Sequence, residues 1–426
     1  MRNTRQREAT SGAGRAAPER RYGVFSALSS YSFRMYWSGA LVSSVGSWLQ
    51  MTAVLWFVRA SGSDSLVGFT NMVTWIPCLF LGLFAGAIAD RLDRRRVILA
   101  SQAVMLVCSI MIGLCIHTSI HDLTLIVFLG ISGVAYAIFV SVWVSTIPFL
   151  VTRETILSAV TLNNVQFNLA RFIGPVIAGL LLVATSDYVP FYLNALTFGT
   201  FMVLILLSGA ELPPPKPSRG NVGRSVVEGF KYVRENPWIA TVLAAVCGLS
   251  FFGFSFIVLI PSVCSQLLHV DDHYYGLLMG MTGLGAVAGM AAVSLLEKKV
   301  SLKAMMSLGA LLTALFLIAF SFSRIYWLTC LLATGVGGSF LICNTGAGAA
   351  LQGNVDPEMQ GRVSSMWVVS YIGVFPLGGL ALGVLSDAFS VQTSLLLAGL
   401  ACILVALFIV LFVSIPGEAG PVEQHV

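Results

Sequence analysis

One stretch of the sequence combines a cation with amides at a spacing that suits ligand binding. Thr161, Asn164, Asn168 and Arg171 are separated by three, four and three residues, so they share one face of an α-helix. A guanidinium beside amide groups offers several hydrogen-bond donors and a positive charge. If Arg171 faces a ligand, its charge favours an anionic or a neutral, oxygen-rich ligand over a cation.

Arg171 is the single charged residue in the apolar stretch 155–186. A charge near the centre of a membrane-spanning helix costs about 2.5–3.5 kcal/mol, and such residues usually face a cavity or a partner. We therefore expect the polar stripe to face a central cavity or an interface between helices. Two roles stay open for Arg171: contact with a substrate or a moving interface, and helix packing through backbone carbonyls or asparagines.

The composition excludes a soluble enzyme. Of the 426 residues, 57% are hydrophobic and only 10% are charged, against roughly a quarter charged in soluble domains. Eleven windows of at least 20 residues lack any charge, and 155–186 is the twelfth apolar stretch; a spanning helix needs about 20 such residues. The eleven windows are 35–58, 65–89, 97–121, 123–152, 188–210, 236–270, 273–296, 304–323, 325–355, 363–386 and 388–417. The predicted fold is an all-α membrane protein with twelve transmembrane helices.

The basic residues predict the orientation of these helices. If the loops alternate sides, 21 Lys and Arg residues fall on the side of the termini, and only Arg59 and Arg324 on the other. By the positive-inside rule both termini are expected in the cytoplasm. The basic residues are dispersed among short loops, which argues against a nucleic-acid partner.

The chain divides into two six-helix halves. We expect an Arg-rich cytoplasmic tail over 1–34, bundles over 35–208 and 236–415, a linker over 209–235 and a short cytoplasmic tail over 416–426. Helical spacing of apolar residues predicts an amphipathic helix on the cytoplasmic surface within the linker. Two similar halves with a substrate site between them are a known plan for transporters.

No motif indicates catalysis or a cofactor. The eight cysteines lie in the apolar windows without metal-ligand spacing, and there is no P-loop lysine motif. We expect no enzyme activity, no cofactor and no bound metal. No acidic residue lies in the middle of a span, so a coupling proton would need a rim acid such as Asp64 or Asp90, or another group.

The segment Gly86-Ala87-Ile88-Ala89-Asp90-Arg91-Leu92-Asp93-Arg94-Arg95-Arg96-Val97 resembles the loop signature of the major facilitator superfamily. Asp93 stands where that signature usually has glycine. Three other segments are similar to one branch of this superfamily, the bacterial exporters that include macrolide-efflux proteins and the enterobactin exporter. These segments are Phe33-Arg34-Met35-Tyr36-Trp37, Ser43 to Gln50, and Gly361-Arg362-Val363. The resemblance covers nearly the whole chain and implies a multi-pass protein of the bacterial inner membrane.

The resemblance implies a gate at this loop. Asp90 would pair with the arginines after it and with the start of the eleventh helix as the halves move. The expected gating residues are Gly86, Asp90, Arg91, Arg94, Arg95 and Arg362. The alternative is that these charges only set the topology.

Gly174, Pro175 and Gly179 resemble a fifth-span signature associated with antiporters of this superfamily. Glycine and proline permit close helix approach and a kink. Leu180 replaces the signature's usual second glycine, which weakens the antiporter inference, and a packing role without directional meaning is equally open.

Other polar and aromatic residues lie on spans that line the transport path in this superfamily. With Arg171, Asn164 and Asn168, the expected substrate-binding residues are Gln50, Trp75, Asn344 and Tyr371. Aromatic faces with a few polar groups suit an amphipathic organic ligand. Each residue on its own is also compatible with packing in the membrane core.

The sequence thus predicts a monomeric secondary transporter that exports a small organic molecule by alternating access, driven by protons. A siderophore-like or other anionic metabolite is the favoured substrate. Macrolide or multidrug efflux is the alternative, and an importer or a membrane sensor without transport is a weaker one.

Overall fold

The computed structural model describes residues 23–81, 93–118, 123–210, 212, 222–296 and 299–416. Over these ranges the chain forms twelve helices that are long and apolar enough to cross a membrane. The prediction of an all-α membrane protein with twelve spans in two six-helix halves is confirmed.

We label the spans α1 to α12 in chain order. They cover Tyr31–Ser61, Asp64–Leu81, Arg94–His117, Leu123–Thr146, Ile156–Ala184, Val189–Leu207, Pro237–Leu268, Asp272–Leu296, Leu302–Phe322, Tyr326–Asn354, Gln360–Ala388 and Val391–Phe412. Between α6 and α7 a linker helix covers Val222–Glu235. Consecutive spans alternate in direction, so α1 begins and α12 ends at the same end of the bundle. We call this the proximal end and the opposite one the distal end.

Side-chain caps fix where several spans begin. Ser30, Ser301 and Ser390 each accept a hydrogen bond from a backbone N–H in the first turn of α1, α9 and α12. Asp93, the residue that departs from the loop signature, does the same for α3 by accepting from the N–H of Arg96. A cap of this kind satisfies one of the four backbone donors that a helix start leaves unpaired.

The two halves meet along two pairs of helices, α5 with α8 and α2 with α11. Glycines bring the backbones close at both. A Cβ added to Gly283 of α8 would lie 2.7 Å from the backbone of Arg171, and one added to Gly68 of α2 would lie 2.7 Å from the carbonyl oxygen of Gly379. Small residues allow this approach, which is how helices associate in lipid without a hydrophobic driving force.

Two spans are interrupted near their middle by a wider, π-helical turn. In α7 this turn covers Ser250–Phe254, and in α11 it covers Val369–Gly373. Such turns break the regular hydrogen-bond ladder and are frequent at functional sites. Here serines of α7 bridge to α11: Ser250 donates to the carbonyl of Tyr371 and Ser255 donates to that of Phe375.

Candidate functional site

Arg171 lies at the middle of α5, about 22 Å from its start at 1.5 Å per residue. It is only 2% exposed. Its guanidinium carbon lies 4.6 Å from the ring centre of Phe254 and 5.8 Å from that of Trp48. Because Trp48 belongs to α1 and Phe254 to α7, the cation lies between the two halves of the protein.

Aromatic rings from both halves surround this cation. Their centres are 5.0 to 6.4 Å apart, in tilted, edge-to-face and stacked arrangements. We call the set the interfacial aromatic cluster: Trp48, Trp75, Phe167, Phe254, Phe340, Tyr371 and Phe375. The predicted residues Trp75 and Tyr371 belong to it, and Tyr371 packs against Phe254, the ring over which Arg171 lies.

The guanidinium is only partly satisfied by its surroundings. Its Nε and Nη2 atoms are buried and have no hydrogen-bond partner among the described residues. A cation over an aromatic face gains about 0.5–2 kcal/mol, while a buried donor left unpaired costs about 1–3 kcal/mol. The arrangement therefore favours an anion, which would supply acceptors for both nitrogens.

A cavity lies beside the aromatic cluster, within the N-terminal half. Its volume is about 70 Å³, which is room for several water molecules. The polar side chains that line it include Ser44, Ser47, Thr70, Asn71, Thr74 and Tyr136. Both amide atoms of Asn71 and the indole nitrogen of Trp75 are buried without a hydrogen-bond partner in the described ranges.

The polar stripe on α5 reaches the interface between the halves. Asn164 is exposed, whereas Asn168 is 7% exposed and donates to the Asn164 carbonyl and to the sulfur of Met290 in α8. Asn168 and Arg171 therefore both face the C-terminal half. Thr161 donates to its own helix, at the carbonyl of Leu157.

Two other predicted binding residues have their side-chain oxygens in contacts within one half. The oxygen of Gln50 accepts from Ser109 and Asn194 at 2.6 and 2.8 Å, although Gln50 also lines the cavity. The oxygen of Asn344 accepts from the indole of Trp367 at 3.2 Å. Neither of these hydrogen bonds crosses between the halves.

The predicted glycine and proline positions of α5 contact two neighbours. Gly174 packs against Trp48 and Val45 of α1, while the carbonyl of Pro175 and the backbone of Gly179 contact Gly276 of α8. Pro175 lies inside one continuous helix.

The predicted gating residues fall partly outside the described residues, where Gly86, Asp90 and Arg91 lie. Arg94 stacks over the ring of Phe149 at 4.7 Å, and Arg95 donates to the carbonyls at the end of α6. Arg362 forms an ion pair of 2.8 Å with Glu228 of the linker helix. No pattern in the sequence indicated that Glu228 would be the partner of Arg362.

At the distal end, a polar cluster joins the halves, and sequence reasoning missed it. Asp64 of α2 pairs with Arg59 of α1 at 3.0 Å and accepts hydrogen bonds from Ser262 of α7 and Ser386 of α11. Within the described ranges Asp64 is the one buried acidic side chain. We call Arg59, Asp64, Ser262, Ser386 and Asp387 the distal cluster.

Asp387 of α11 completes the distal cluster by capping a helix of the other half. Its carboxylate accepts from the backbone N–H groups of Asp64 and Ser65, both at 2.9 Å. Both carboxylates therefore accept hydrogen bonds that join the two halves at the distal end. The only signal in the sequence was that Asp64 begins the second span and Asp387 ends the eleventh, so both acids are expected on the same side.

The sequence matches the family described as transmembrane secretion effector, of the major facilitator superfamily, over residues 22–423. The chain belongs to this family. It is a membrane transporter and not an enzyme, and its twelve spans support a multi-pass protein of the bacterial inner membrane.

Similar proteins of known name support the assignment. The chain is 23% identical to the staphyloferrin A transporter of Staphylococcus aureus over 88% of its own length and 94% of that protein. It is 27% identical to the enterobactin exporter EntS of Citrobacter koseri over 78% and 80% of the two chains. The crystal structure of the nucleoside transporter NupG has the same fold, with a TM-score of 0.71 at 14% identity over 90% of this chain and 100% of that one.

Proposed function

We propose that this transporter exports an anionic, siderophore-like metabolite from the cytoplasm by alternating access, with protons as the coupling ion. The observation that carries the proposal is Arg171: a buried cation between the halves with two nitrogens unpaired among the described residues. An anionic group in the central path would bind there. The similarity to proteins named for staphyloferrin A transport and enterobactin export supports this substrate class.

The aromatic cluster and the neighbouring cavity extend the proposed site. Rings offer apolar faces to the body of an organic molecule, and the unpaired groups of Asn71 and Trp75 offer hydrogen bonds to a neutral polar arm. The same features would suit a large amphipathic drug, so macrolide or multidrug efflux is the second candidate.

The gate and the orientation belong to the same proposal. We place both termini and the proximal end in the cytoplasm, following the distribution of Lys and Arg. The distal cluster would then seal the outer end while the substrate enters from the inside. Arg94, Arg95 and Arg362, with Asp90, Arg91 and Gly86 of the neighbouring loop, would form the inner gate. The transporter would act as a monomer.

Metabolite export tests the substrate class. The gene is deleted, and siderophores in the medium are measured under iron limitation together with sensitivity to macrolides. We expect siderophore levels to fall while drug sensitivity stays constant. Unchanged siderophore levels with a rise in drug sensitivity would favour the second candidate.

Reconstituted protein tests the transport cycle. Counterflow of the identified metabolite into proteoliposomes is measured with and without a pH gradient, for the parent chain and for Arg171→Gln. Arg153→Gln, at an exposed residue near the start of α5, serves as the control. We expect faster transport with the gradient, weak substrate binding in Arg171→Gln, and normal binding in the control.

A further inference from the structure

The linker helix holds the start of α11 with one of its faces. Glu228 pairs with Arg362 at 2.8 Å, and a Cβ added to Gly229 would lie 3.1 Å from the methyl carbon of Met366. Tyr232 donates to the carboxylate of Asp356 at 2.9 Å, just before α11. Partial burial raises the pKa of the Tyr232 hydroxyl, which stays protonated and able to donate.

The opposite face of the linker helix combines exposed apolar and basic side chains. Val227 is 67% and Phe230 57% exposed, and Lys231 and Arg234 are exposed beside them. At 100° per residue these four positions fall within about one third of the helix circumference. Glu228 lies on the side that faces α11. Glu235 lies at the edge of the exposed face, where its carboxylate is 3.8 Å from the ammonium of Lys231. Because Arg234 adds a second positive charge, this face is apolar with a net positive charge. We call it the basic apolar face.

The helix lies at the level where a membrane surface is expected. It contacts Arg362 and Met366, in the first two turns of α11, so it lies beside that span and not beyond its end. Only Asn236 separates the linker helix from Pro237, the first residue of α7. A helix at this depth meets phospholipid headgroups and the upper part of the acyl chains.

We propose that the basic apolar face is a docking site for anionic phospholipids of the bilayer that the protein spans. Phe230 and Val227 enter the boundary between headgroups and acyl chains, while Lys231 and Arg234 bind the lipid phosphates. Charge complementarity and continuity with α7 favour lipid over a protein partner. Since the other face of the same helix holds Arg362 and Met366, lipid binding fixes the position of the start of α11.

Fluorescence at position 230 tests the apolar part of this inference. An environment-sensitive fluorescent amino acid is introduced at Phe230 by amber suppression, which leaves the native cysteines in place. The protein is reconstituted in phosphatidylcholine alone or with phosphatidylglycerol, and bromine-labelled acyl chains serve as quenchers. We expect a blue-shifted, quenched signal that strengthens with phosphatidylglycerol. The same probe at Arg153 is the control and should stay water-exposed and unquenched.

The charged part is tested with Lys231→Gln combined with Arg234→Gln. Each basic residue near an anionic surface contributes about fivefold in binding, so the double variant should lose most of the dependence on phosphatidylglycerol. Arg153→Gln should retain it. A probe at 230 that bromolipids never quench, or that gives the same signal in both lipids, would overturn the proposal. Neither the quenching by bromolipids nor the dependence on phosphatidylglycerol depends on which substrate is transported.

Discussion

Replacing Arg171 by methionine should raise stability and lower substrate affinity at the same time. Methionine keeps a long, flexible side chain but removes the charge and the two nitrogens that have no partner among the described residues. Two unpaired donors cost about 2–6 kcal/mol, and two cation–π contacts return about 1–4 kcal/mol. The difference predicts that the Arg171→Met protein is more stable by about 1–2 kcal/mol.

The affinity should change in the opposite direction. Hydrogen bonds to a charged group contribute about 1.5–3 kcal/mol, so an anionic substrate should bind about 10- to 150-fold more weakly to Arg171→Met. Arg171→Lys keeps the charge but lacks the planar guanidinium, so its affinity for the substrate should lie between those of the parent protein and Arg171→Met. A neutral substrate would lose much less.

Two measurements on the same preparations separate the roles of Arg171. Thermal unfolding in nanodiscs gives the stability, and equilibrium binding of the transported metabolite gives the affinity, with the exposed Arg153→Met as the control. A packing arginine would give the reverse result, with a lower unfolding temperature and unchanged affinity. That outcome would refute the assignment of Arg171 to the substrate site.

Three further substitutions test other parts of the structure. Asp64→Ala removes hydrogen bonds to a charged group worth about 1.5–3 kcal/mol, so amide deuterium exchange in the first turn of α2 should speed up about tenfold or more. Glu154→Ala is the control and should leave the exchange rate unchanged. Equal exchange rates in Asp64→Ala and the parent protein would contradict the role of the distal cluster. Gly283→Ala should impair folding and transport, because its Cβ would lie 2.7 Å from the backbone of α5. Gly361→Ala is the control and should impair neither, because there is open space around Gly361. Transport at the parent rate in Gly283→Ala would show that the close contact is dispensable. Asn71→Leu should weaken substrate binding by about 0.5–1.5 kcal/mol, and an unchanged dissociation constant would remove Asn71 from the site.

The number of spans and the position of Arg171 at an interface could be predicted because the membrane penalises charge strongly. A charge inside an apolar window can be recognised from the sequence alone, whatever the tertiary structure. The direction in which a neutral polar side chain points cannot be recognised from the sequence in this way. Gln50 and Asn344 have the residue types of ligand contacts, yet their side-chain oxygens accept hydrogen bonds from neighbours within their own halves.

The distal cluster could not be predicted for a different reason. Asp64 and Asp387 are 323 positions apart in the chain, and each alone resembles an ordinary charge at the end of a span. Their shared role depends on α2 and α11 packing together. The π-helical turns could not be predicted from the sequence either, because they change the backbone hydrogen-bond pattern without changing the hydropathy.

The cap that Asp387 places on α2 makes one helix start a shared property of both halves. If the halves part at the distal end, the N–H groups of Asp64 and Ser65 lose their acceptor, and a missing cap costs a helix about 0.5–2 kcal/mol. The first turn of α2 is thus complete only while the distal end is closed. Fraying of that turn would make secondary structure itself a reporter of which side of the membrane is open.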